Sequence, residues 1–173
     1  LTTSAGGTLG PIRLSDVAVI TGSDDNIIVE GACLSVVMSG IDSERPGTGK
    51  AAIRITNASS SSSMGHVLSG VYIEESEATA LGIVLDGCAN CLVDCAVLNG
   101  TAAASLVKIT GTVTGSDGAF ASAGHTLRNL NANLATIIDD VVAGVTVGNA
   151  QGRFVRYYHS PIVSATLDTA QVV

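Results

Sequence analysis

Val, Ile and Leu alternate with polar residues over short stretches that stop at Gly, Asn or Asp, the period-2 pattern of half-buried strands. No apolar stripe of period 3.6 runs for the length of a normal helix. Four stretches lie over one another residue by residue: 26–34, 65–73, 90–98 and 124–132. They open on Asn26, Gly65, Asn90 and Gly124, residue types that enter a left-handed turn most easily. A second set, 52–57, 82–87, 106–111 and 135–140, interleaves with the first, and 17–22 stands at its head. Its starts at 52, 82, 106 and 135 differ by 30, 24 and 29 residues, a period that signals a solenoid with two or three short strands per coil.

Strands of successive coils stack ~4.8 Å apart, so aligned positions form columns. The alternation points Val29, Ile53, Ile55, Leu68, Ile83, Leu85, Val93, Val107, Ile109 and Leu127 into the core. It makes an outward column of Glu30, Ser69, Asp94 and Arg128.

Composition fits stacked thin layers. Of 173 residues, 46% are hydrophobic but 3% aromatic, with no Trp, so the core must be built from small aliphatic side chains. Apolar runs stay shorter than the ~18 residues of a membrane helix, and no membrane span is expected. The net charge is −7, with eight Lys and Arg scattered along the chain. That leaves no basic stripe for displacing counterions, so nucleic acid is not an expected partner. The chain starts at Leu1 with neither a basic n-region nor a long apolar h-region, and reads as a processed product or an excised piece.

The organisation expected is an entry segment at 1–11, a parallel β-helix at 12–150 and a C-terminal cap or oligomerisation segment at 151–173. The last holds Phe154, Tyr157 and Tyr158, three of five aromatic residues. Three excursions, 39–50, 59–63 and 112–123, read as loops leaving one face.

The runs 82–100 and 26–31, with the Asn and Gly turn positions, resemble right-handed parallel β-helix proteins. The resemblance covers roughly residues 12–150. It implies an all-β solenoid of about five or six coils with a non-repeat C-terminal cap. Within that group the chain looks most like a portion of a phage tailspike or tail fibre. The resemblance implies a homotrimer that recognises bacterial surface polysaccharide, in the virion or outside the cell.

The alternative is a polysaccharide-cleaving glycosidase or lyase with an acidic site on the helix face. Glu30 and Asp94 are its candidate catalytic residues: two coils apart in one column they would stand ~9.6 Å from each other, near the upper end for an inverting glycosidase. Alternating charge on a solvated face explains that column without chemistry. Asp24–Asp25, Glu74, Glu75 and Glu77, and Asp139–Asp140 read as turn acids rather than a Ca²⁺ site, because neighbours on a strand point to opposite faces.

Cys88, Cys91 and Cys95 offer three zinc ligands where a structural site needs four, although His66 and His125 share the Cys91 column. Cys91 aligns with Ile27 and Cys95 with Gly31 and Gly70, so buried reduced thiols are the expectation, with no metal and no cofactor. The repeated Gly-His-x-Leu at Gly65 and Gly124 reads as repeat descent. The stretch 46–50 departs from a phosphate-binding loop at Glu44 and Ala51.

Overall fold

A computed structural model describes residues 10–20, 22–31, 33–56, 65–74, 81–99, 105–115, 118–121, 124–132, 136–140 and 155–158. The described residues form strands and turns, with no helix among them. In chain order the strands are β1 (Ile12–Ile20), β2 (Ile27–Glu30), β3 (Val36–Glu44), β4 (Ala51–Thr56), β5 (Val67–Glu74), β6 (Leu81–Asp86) and β7 (Leu92–Asn99). There follow β8 (Ser105–Thr110), β9 (Thr112–Gly115), β10 (Gly118–Ala121), β11 (His125–Arg128), β12 (Asn131–Ala132), β13 (Thr136–Asp140) and β14 (Val155–Tyr158).

The chain is a parallel β-solenoid. One sheet runs β1-β3-β5-β7-β11-β14, with β12 also on β7, and the other β13-β8-β6-β4-β2. Every pairing within them is parallel. The coils β3–β4, β5–β6 and β7–β8 are complete, with strands of six to nine residues in both sheets. The regular body is therefore about three turns, not the five or six expected. At one end β1 carries no fully buried residue, and at the other the sheet strand breaks into β11 and β12.

Register makes the core. Ile53, Ile83 and Val107 stack, as do Val29, Ile55, Leu85 and Ile109. All ten residues expected inside are 0% exposed. Each layer presents branched aliphatic side chains to the same kind of side chain above and below, so a small-residue core still reaches interior packing density. On the cross-coil side Met38, Leu68, Val93 and Leu127 form the matching column.

Three columns of left-handed residues turn each coil. Following the second sheet are Gly31 (φ 92°), Gly87 (64°) and Gly111 (74°); preceding the first are Ser35 (54°), Gly65 (73°), Asn90 (55°) and Gly124 (74°). The third runs through the middle of the first sheet: Asp16 (55°), Gly40 (61°), Gly70 (64°), Cys95 (55°) and Asn129 (54°). Gly, Asn and Asp take this conformation at least cost. The third column also resets the alternation. Val36 and Met38 point inward before Gly40, and Ile41 and Ser43 after it, giving the burial pattern of β3. A strict period of two would have turned Ile41 outward.

That reset corrects the alignment in two places. Of the stretch 26–34, Ile27–Glu30 lies not with the first set but in the second sheet, where Ile27 stands beside Ile53. Conversely, 17–20 belongs to the first sheet, with Val17 beside Ile41. Both stretches are short apolar alternations, and only the corner column, Asp16 beside Gly40, tells them apart. A smaller slip affects β13, where Ile138 pairs with Val107, a spacing of 31 rather than 29 that keeps the face.

Of the expected excursions, 39–44 belongs to strand β3 and not to a loop, whereas β9 and β10 pair antiparallel in a separate two-stranded sheet. The stretch 59–63 lies outside the described residues. In the segment set apart as a cap, β14 continues the first sheet by pairing with β11; Phe154 lies outside the described residues.

Candidate functional site

The corners at Gly40, Gly70 and Cys95 decide which side chains the first sheet shows to solvent. Beyond them the outward columns are Asp42, Tyr72, Val97 and Asn131, and then Glu44, Glu74 and Asn99. Tyr72 is 39% exposed and Val97 36%, two of the few large apolar groups in solvent among the described residues. The Tyr72 hydroxyl donates to Glu74 Oε2 at 3.3 Å and accepts from Asn99 Nδ2 at 3.5 Å. These bonds hold the ring on the outer face of the first sheet, amid carboxylates and an amide. One Asp42 oxygen, Oδ1, is buried without a hydrogen-bond partner. The ring thus offers an apolar face with an apolar neighbour, and hydrogen-bonding groups at its edge.

The other expected site does not assemble as one column. Glu30 lies on β2 and follows the register of Thr56, Asp86 and Thr110 in the second sheet. Asp94 lies on β7 in the first, where its column reads Ser39, Ser69, Asp94, Arg128. The two-coil separation between the carboxylates therefore does not apply, because Ser39 and not Glu30 holds the place below Ser69. Asp94 accepts from Asn129 Nδ2 and pairs with Arg128 Nη2, both at 2.8 Å, with Cys95 Sγ at 3.5 Å. Those donors, Asn129 foremost, hold its carboxyl below the usual carboxylate range.

The turn acids Asp24 and Asp25 brace the 46–50 turn. Asp24 pairs with Lys50 at 2.7 Å; Asp25 accepts from Arg54 Nε at 2.8 Å and from the Ala51 amide. Glu75 and Glu77 lie outside the described residues, as do the side chains of Asp139 and Asp140. Among the described residues no group of three or more His, Cys, Asp and Glu is placed to hold a metal ion, and no helix is long and apolar enough to cross a membrane.

Inside the stack, His66, Cys91 and His125 occupy one column, as the alignment requires. Its cause is local. Gly65 and Gly124 turn the chain at positive φ, and the imidazole that follows each supplies the acceptor for the coil below. Val36 N donates to His66 Nδ1 and Cys91 N to His125 Nδ1, each at 3.3 Å. In neutral histidine that places the proton on Nε2. Both rings are 0% exposed, and burial lowers the His66 pKa. The repeated Gly-His is thus a structural device, a role its spacing alone does not reveal.

Cys88 and Cys91 are buried beside these rings with their sulfurs 3.6 Å apart. The Cys88 thiol, against the opposing effect of burial, draws the Cys91 thiol below its ordinary range. Cys33 is buried too, but Cys95 is exposed, against expectation. As the left-handed residue of its corner it breaks the alternation that would have turned it inward.

No family model, curated protein or solved structure matches the chain.

Proposed function

We propose that this solenoid is a structural and carbohydrate-recognition segment of a homotrimeric, phage tailspike-like fibre that contacts bacterial surface polysaccharide. The observation that carries the reading is the Tyr72 platform. Its ring is exposed on a parallel sheet, braced by Glu74 and Asn99, with Val97 beside it in register. A sugar ring lays its C–H face on such an aromatic and meets hydrogen-bonding groups at the edge. The rigid stack keeps these groups in place without a binding-time ordering cost. The sequence resemblance supplies the assembly and the setting, virion or extracellular, and the aromatic C-terminal segment supplies natural interface anchors.

The test is binding of the intact chain to a panel of capsular and O-antigen polysaccharides, paired with light scattering. Binding that Tyr72→Ala weakens at least tenfold, by a trimeric species, supports the reading. A stable monomer at micromolar concentration contradicts the assembly. Binding indifferent to Tyr72→Ala contradicts the platform, and cleavage of the polysaccharide moves the assignment from recognition to hydrolysis or elimination.

A further inference from the structure

The interior column places two thiols in the same turn. Cys88 and Cys91 flank Ala89 and Asn90 between β6 and β7, and Asn90, at φ 55°, folds the turn so that both sulfurs point into the stack. Their 3.6 Å separation must shorten by about 1.5 Å to reach the ~2.05 Å of a disulfide bond. His125 Nδ1 accepts the Cys91 amide, and His66 sits one coil below.

We propose that Cys88 and Cys91 are a redox-active dithiol that closes to an intrachain disulfide on reaction with a hydroperoxide. Cys91 is the attacking group. The 3.6 Å contact with Cys88 Sγ, the leading cause of its lowered pKa, favours its thiolate, the nucleophilic form. In the first step the Cys91 sulfur bonds to one peroxide oxygen, the O–O bond breaks, and hydroxide leaves and becomes water with the proton the thiol gave up. Cys91 is then a sulfenic acid. In the second step the Cys88 sulfur displaces the sulfenic oxygen, which departs as water with the Cys88 thiol proton. Two thiols have lost two electrons and one hydrogen peroxide has become two waters. Both sulfurs are buried, 0% and 1% exposed, so the oxidant reaches them through a local opening of the turn that carries them. Cys95 lies on the outer surface and takes no part.

The experiment uses the full chain, purified reduced, exposed to hydrogen peroxide at one to a few equivalents, then unfolded and alkylated. Cleavage before aspartate releases 86–93, which carries Cys88 and Cys91, and leaves Cys95 in the next peptide. The expected result is loss of two of the four thiols. Peptide 86–93 is then unalkylated and lighter by two hydrogens, and dithiothreitol restores both. Cys95→Ser should change none of this. Recovery of 86–93 doubly alkylated after peroxide treatment, with circular dichroism showing the fold intact, overturns the proposal. So does oxidation of Cys91 to a stable sulfinic acid, because it shows that Cys88 cannot reach it.

Discussion

Replacing Gly70 by Ala isolates the conformational cost of the corner that divides the first sheet. A methyl group built on Gly70 meets the Gly40 amide nitrogen at 3.6 Å, an ordinary contact, so steric clash contributes little. What remains is φ of 64°. A left-handed L-residue costs roughly 1–2 kcal/mol, offset by about 0.4–1 kcal/mol because Ala is less free than Gly in the unfolded chain. The net expectation is destabilisation of about 1 kcal/mol, or ~2–4 °C in Tm at this chain length. Gly70→Asn should cost less, since Asn129 and Asp16 already hold the same column. Gly111→Ala should cost more than Gly70→Ala, because its added carbon falls 2.7 Å from Gly87 N and against Asp86 Oδ1. Urea or thermal unfolding of the three variants ranks them. A Gly70→Ala protein with an unchanged midpoint, or an Asn variant weaker than the Ala one, would refute the corner argument.

Leu85→Ala should lose about 2–5 kcal/mol, since the layers above and below restrict collapse into the cavity; a loss under ~1 kcal/mol in denaturant melts would place Leu85 outside a packed core. His66→Leu should cost about 1–3 kcal/mol by leaving the buried Val36 amide without its acceptor. Because the folded His66 pKa lies below its ordinary 6.5, its contribution is complete above that value and is lost as pH falls below it toward the folded pKa. His66→Leu should therefore flatten the acid side of a stability-versus-pH curve, and an unchanged slope would count against the buried neutral ring. Asp94→Asn should cost little, about 0.2–1 kcal/mol, because Arg128 is 47% exposed. Its effect should vanish as pH falls through the lowered carboxyl pKa, and a large pH-independent loss would show that Asp94 does more than pair at the surface.

The second-sheet column was legible because its period is plain: Ile53, Ile83 and Val107 follow one another at matching turns and are buried as expected. The His66–Cys91–His125 column was legible for the same reason. What alternation alone could not supply was the phase. At Cys95 the left-handed residue is neither Gly, Asn nor Asp, so the chain changes face at a residue whose type does not announce it. Alternation alone turns Cys95 inward and sets Glu30 in the column that Ser39 fills. The Tyr72 platform has no signature in the sequence. Its hydroxyl is fixed by Glu74 and Asn99, residues that come together only through register.

The measurement that bears most directly on this account is a set of NMR contacts from the Tyr72 ring in the intact chain. Parallel register places the ring between Asp42 on β3 and Val97 on β7, so Overhauser contacts to both side chains, with Tyr72 exposed to a soluble paramagnet, are predicted. Contacts to only one of these strands, an antiparallel pattern of Hα contacts around Tyr72, or a ring shielded from the paramagnet would contradict both the solenoid register and the face it presents.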